Sequence, residues 1–129
     1  MNILLDTNAL LWSLADADRL GLAVRLLITE PRNVVYVSAA SAWEIAIKHG
    51  LGKLRLPDTP ERAIPELMAC TGVVPLPVLH RHALRVATLP RKHRDPFDRL
   101  LVAQAQIEDL AILTADRSFR LYDVRVIAA

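Results

Sequence analysis

Short, wholly apolar runs alternate along this chain with segments of helical period, and that alternation restricts the fold more than any other feature. The runs are "NILL", "NVVYVS", "GVVPL", "AILT" and "VRVIA". Between them stand "TNALLWSLA", with Leu10, Leu11 and Leu14 at helical spacing, "GLAVRLLITE", "AASAWEIAIKHG", "PERAIPELMAC", "HRHALRVATL" and "DPFDRLLVAQAQIEDL". Strands apolar at every position are buried on both faces. The pattern predicts a three-layer α/β/α fold with a central parallel sheet of four to five strands. Pro31 ends the second helix, Pro65 sits inside the fourth, and "DRSFRLY" makes one or two helical turns. In "AASAWEIAIKHG", Trp43, Ile47 and the flanking alanines share one face.

The 129 residues fit one domain, 1–129, long enough to bury roughly two-thirds of the unfolded surface. "PDTP" and "PLP" read as breaks between elements rather than domain boundaries. Cys70 is the single cysteine, which excludes an internal disulfide and a cysteine-rich zinc site; it reads as a small buried apolar residue in a reducing, cytoplasmic protein. No apolar run approaches the ~20 residues of a membrane span, and Asp6 and Asp16 interrupt the N-terminal one, so neither a signal peptide nor a membrane partner is expected. The net charge of +2 permits a polyanionic partner without demanding one.

In a parallel sheet, ligands bind outside the carboxyl ends of the strands. Asp6 directly follows the first apolar run and Asp116 follows "AILT" with one residue between, so both belong at that edge. Glu44 lies early in the helix after "NVVYVS", near the same edge. Asp98 lies in the first turn of the helix opened by Asp95-Pro96, at a place the strand rule does not fix. Each acid also has a plain structural reading. Asp116 can cap the turns that follow it. Asp98 favours its helix dipole, with Asp95 as cap and Pro96 at the first helical position. Glu44 can pair with Lys48 one turn on, or complete a capping box from Ser41, although Ser38 is the better cap. Asp6 caps the helix from Thr7 only awkwardly. Taken together, three or more acids from separate segments at one edge repel one another and need cations. Oxygen ligands without clustered His or Cys select Mg²⁺ or Mn²⁺. Such a site suits phosphodiester hydrolysis. Thr7, Asn8, Thr114 and Ser118 add neutral donors beside the acids.

"LLDTNALLW", "SAWEIAIKHGLGKL", "HRDPFDRLLVAQA" and "LTADRSFRLY" resemble the four signature segments of PIN-domain ribonucleases, in that family's order and over nearly the whole chain. The likeness is greatest to the VapC toxins of bacterial toxin–antitoxin pairs. It implies a Mg²⁺- or Mn²⁺-dependent endoribonuclease inhibiting translation, an antitoxin partner, a homodimer, and Asp6, Glu44, Asp98 and Asp116 as catalytic and metal-binding residues. Asp95 falls in the same segment and reads more simply as a cap. Where some relatives carry His after "DT", this chain has Asn8.

Two further features bear on a nucleic acid. The run "RKHR" puts Arg91, Lys92 and Arg94 before the Asp98 helix, either to position RNA phosphates or as a solvated loop. Lys48 either reaches a phosphate or pairs with Glu44. His80 and His82 point to different sides of a helix, so no histidine is given a ligand role. Competing readings are a non-catalytic RNA-binding or scaffold PIN module, an aspartyl phosphotransfer protein, and a DNA flap nuclease. A phosphatase of the second kind needs D-x-D, and Asn8 breaks it; the chain is short for the third.

Overall fold

The computed structural model describes residues 1–92 and 94–129. Its elements run β1 (Asn2–Leu5), α1 (Thr7–Ala15), α2 (Gly21–Thr29), β2 (Val34–Ser38), α3 (Ala39–Gly50), α4 (Pro60–Thr71), β3 (Val74–Leu76), α5 (His80–Arg85), α6 (Pro96–Glu108), β4 (Ala111–Thr114) and β5 (Val126–Ala128). Single 3₁₀ turns lie at Ala17–Leu20, Val86–Thr88 and Arg117–Leu121.

All five strands are parallel, in the order β3-β2-β1-β4-β5. Ile3 lies level with Val35 on one side and Ala111 on the other, so β1 is the centre of the sheet. Side chains alternate across it. Ile3 and Leu5 join a core with Ala9 and Leu10 of α1, Val24 of α2, Ile45 of α3 and Ile64 of α4. Leu4 joins the opposite core with Leu101, Val102 and Ala105 of α6 and with Phe119. The wholly apolar runs thus do what their composition predicts, and the three-layer architecture follows.

The chain leaves β1 for β2 and β3 on one side, then returns to β4 on the other. That reversal makes the carboxyl ends of β1 and β4 a topological switch point, where strand order leaves a crevice. Among the described residues, no helix is long and apolar enough to cross a membrane.

Two local expectations change, at Cys70 and on α3, while Pro65 lies inside α4 as expected. Cys70 is exposed, because α4 turns only a narrow stripe around Ile64 to the core. Helix α4 passes through Pro65, which lies on the exposed side. On α3 the buried residues are Ala40, Ser41, Glu44 and Ile45, while Trp43 and Ile47 are 62% and 39% exposed. The helix is rotated so that its acid, rather than its tryptophan, faces inward. Trp43 meets Phe97 edge-on, with ring centroids 5.2 Å apart.

Candidate active site

Asp6 is placed by the sheet and by the helix that follows. Its N–H continues the β1–β4 ladder by donating to the Leu113 carbonyl at 3.1 Å. Its Oδ1 accepts the Ala9 N–H at 2.8 Å, so the carboxylate does cap α1. An extended backbone at Asp6 (φ −75°, ψ 172°) turns straight into the helix and makes the cap an ordinary one, which the sequence did not suggest. The second oxygen, Oδ2, accepts the Thr114 hydroxyl at 2.6 Å. Thr114 Oγ1 in turn accepts the Asp116 N–H at 2.9 Å. One threonine at the end of β4 therefore ties the two sheet-edge acids together. Asp116 Oδ1 caps the next turn by accepting the Ser118 N–H at 2.9 Å.

Glu44 reaches the same place from α3, with 4% of its surface exposed. Its Oε1 accepts the Thr7 hydroxyl at 2.7 Å, and its Oε2 is paired with the Lys48 ammonium. Ser41 Oγ lies 3.1 Å from Thr7 Oγ1. Thr7 has one proton, given to Glu44, so the Ser41 hydroxyl donates to Thr7. Ser38 caps α3, its Oγ accepting the Ala40 N–H at 3.0 Å, as predicted. Asp95 caps α6, accepting the Phe97 and Asp98 N–H groups at 2.8 and 3.2 Å. That cap sets the start of α6 and hence where Asp98 stands.

These side chains converge on one cleft of about 230 Å³, lined by Asp6, Thr7, Asn8, Glu44, Lys48, Asp95, Asp98 and Asp116. All four principal acids, the fifth acid and three of the predicted companions are brought together. Asp98, which the strand rule could not locate, is among them. Thr114 lies behind the cleft, on Asp6. Ser118 stands beside Asp116, and its Oγ is buried without a hydrogen-bond partner among the described residues. Arg91, Lys92 and Arg94 do not enter the cleft; they line a separate cavity of about 850 Å³ with Arg99. His93, the remaining residue of that run, lies outside the described residues.

The electrostatics show what this grouping costs. Burial pushes the Asp98 carboxyl up to about 7, reinforced by Asp95, Glu44, Asp6 and Asp116. Burial also raises the Asp6 carboxyl; its bonds from Thr114 and Ala9 pull the other way, and Asp116 and Glu44 add to the rise. Lys48 is raised, chiefly by its bond to Glu44. Lys48 thus pairs with Glu44, one of its two predicted roles, while its half-exposed side chain remains at the cleft wall.

A divalent cation fits this donor set chemically. The acidic donors are oxygens only, and each carboxylate oxygen keeps a second lone pair beside its present bond. Among the described residues, no three His, Cys, Asp or Glu side chains form a closed ligand cluster. Mg²⁺ does not need one, because it keeps several waters and uses one or two carboxylates.

Two residues of the site escaped the sequence reading. Ser41 was legible only as a cap, although its spacing of three from Glu44 puts both on one helix face. Arg99 was not singled out. Its guanidinium donates to the carbonyls of Pro90, Val86 and Leu89 at 2.9, 3.1 and 3.5 Å, and to the Tyr122 hydroxyl at 3.2 Å. It braces the loop that carries the basic run, and no local pattern announces that.

The model of the PIN domain family matches residues 3–125. Over 58 residues the chain is 45% identical to Ribonuclease VapC16 of Mycobacterium tuberculosis (strain ATCC 25618 / H37Rv), a match that covers 45% of this chain and 41% of that protein. The fold is similar to that in VapBC2 from Rickettsia felis, solved bound to a DNA fragment from its promoter: TM-score 0.76, 12% identity, covering 99% of this chain and 98% of that one. It is also similar to a structure of FitAcB from Neisseria gonorrhoeae, with TM-score 0.65 and 25% identity over 97% of this chain and 96% of that one.

Proposed function

The chain belongs to the PIN-domain family, and from that premise we propose that it is a Mg²⁺- or Mn²⁺-dependent endoribonuclease, hydrolysing RNA phosphodiester bonds as the toxin of a toxin–antitoxin pair. The observation that carries this reading is the cleft itself. Acids from β1, α3, α6 and the turn after β4 meet at the switch point of the sheet, at an electrostatic cost that a divalent cation offsets.

In this reading Asp6, Asp98 and Asp116 hold the cation, directly or through water. When bound, it activates water and neutralises charge on the phosphodiester during in-line displacement. Thr114 fixes the orientation of Asp6 by donating to Oδ2, which leaves the carboxylate no freedom to swing away. Glu44 orients the attacking water and accepts its proton, held in place by Thr7 through Oε1. Lys48 steadies Glu44 as a carboxylate and meets a phosphate oxygen at the cleft wall. Asn8, exposed at the rim, donates from its amide to the substrate. Arg91, Lys92 and Arg94 position RNA phosphates on the α6 side. Residues 1–129 act as one nuclease domain in the cytoplasm, as a homodimer restrained by an antitoxin. The similarity to Ribonuclease VapC16 and to the VapBC2 structure supports the toxin–antitoxin part of this reading.

The test is to incubate the purified protein with total RNA, with Mg²⁺ and with EDTA. Cleavage that needs Mg²⁺ and disappears in Asp6→Ala is the expected result. RNA binding without metal-dependent cleavage would favour a non-catalytic RNA-binding module instead.

A further inference from the structure

A second cavity adjoins the acidic cleft at Asp116. It measures about 240 Å³ and shares Asp116 with the cleft. Its walls come from Thr114, Asp116, Arg117, Arg120 and the end of β5. Thr114 also ties this wall to Asp6, so the cavity and the cleft are built on the same two residues of the sheet edge. Arg117 and Arg120 are both exposed. Among the described residues, no carboxylate stands within ion-pair reach of either.

The cavity of Arg117 and Arg120 therefore joins the acidic cleft at Asp116. A strand whose scissile phosphate enters the cleft must carry its neighbouring phosphates past the cleft walls. Guanidinium groups hold phosphate oxygens in paired, planar geometry, which suits that task.

We propose that Arg117 and Arg120 form a phosphate subsite for the RNA strand cut in the acidic cleft, beside Asp116. This rests on the nuclease reading and assigns one phosphate contact of its substrate. Phosphate contacts of this kind set register and affinity rather than sequence preference.

The experiment measures binding of a fluorescein-labelled single-stranded RNA by anisotropy, in EDTA to prevent cleavage, across a KCl series. Arg117→Gln/Arg120→Gln should weaken binding about tenfold and flatten the salt slope by roughly 1.4, about 0.7 per phosphate released. Arg117→Lys/Arg120→Lys should keep most of the slope, because charge is retained. Arg32→Gln, at the opposite edge of the sheet before β2, should leave both quantities unchanged. Circular dichroism checks that each variant folds. Affinity and slope unchanged in Arg117→Gln/Arg120→Gln, while wild type binds and cuts RNA, would overturn the subsite alone. A wild-type protein with no salt-dependent RNA affinity and no cleavage would overturn the nuclease reading, and the subsite with it.

Discussion

Two buried polar regions of this molecule are built on opposite principles. Between α5, α6 and β2, His82 and Gln104 are fully buried. His82 Nδ1 accepts the Leu79 N–H at 3.0 Å, so Nε2 carries the proton and donates to Glu108 at 2.8 Å. The Gln104 amide donates to the Pro77 carbonyl at 3.1 Å, and its oxygen accepts the Ser38 hydroxyl. Every group there has a complementary partner. In the cleft, by contrast, carboxylates confront carboxylates, and Asp98 is pushed up to about 7. Satisfied polar networks hold a fold together. Like charges held close together cost stability, and they collect where a ligand can supply the opposite charge.

Substitutions can break this contrast, beginning with the largest effect. Asp6→Ala should lower Mg²⁺-dependent RNA cleavage about a thousandfold or more, since several kcal/mol of charge stabilisation depend on the held cation. Urea unfolding should change little, because the lost α1 cap is offset by removal of a buried charge. Gln104→Leu should do the reverse. It leaves the Pro77 carbonyl and the Ser38 hydroxyl without their partner, costing about 2–3 kcal/mol by urea unfolding. Cleavage per folded molecule should change far less than in Asp6→Ala. A large loss of activity without loss of stability would erase the distinction between the two regions.

The pH dependence sharpens it. Asp98 is raised from an ordinary 3.8 to about 7, so the folded protein keeps that proton over a range in which the unfolded chain releases it. Its contribution to stability is therefore fully present below about pH 4 and declines as pH rises through about 7. Without divalent metal, urea unfolding should show a lower stability at pH 8 than at pH 5.5, by about 1–2 kcal/mol after solvent screening of this partly exposed group. Mg²⁺ should recover most of that loss. Asp98→Asn should flatten the profile and make it insensitive to Mg²⁺. The smallest effect is expected from Lys48→Met, about 1 kcal/mol, because the lysine end of its pair with Glu44 is half exposed.

Much of this was legible in the residues. Apolar runs marked all five strands; β1 and β4, buried on both faces, have almost no polar position to disguise them, and the partly exposed edge strands β3 and β5 are short enough to stay mostly apolar. Asp6 and Asp116 could be put at the sheet edge because each follows a strand closely. Asp98 could not, because its place depends on where the Asp95 cap starts α6 and how α6 packs. The inward face of α3 was hidden for a related reason. Hydrophobicity favours burying Trp43, whereas the hydroxyls of Thr7 and Ser41, from two different helices, make the Glu44 side the buried one. The exposure of Cys70 and the bracing by Arg99 are likewise tertiary outcomes. Strand order, with β1 at the centre and the switch point beside it, is carried by the packing of whole layers rather than by any short pattern.

Crystals grown with Mn²⁺ and measured for anomalous scattering test directly whether these acids hold a divalent cation. The expected result is an anomalous peak in the cleft, within ligand or single-water distance of Asp6, Asp98 and Asp116, and its loss in Asp6→Ala. A cleft without that peak at saturating Mn²⁺, or a peak that survives the substitution undiminished, would contradict it.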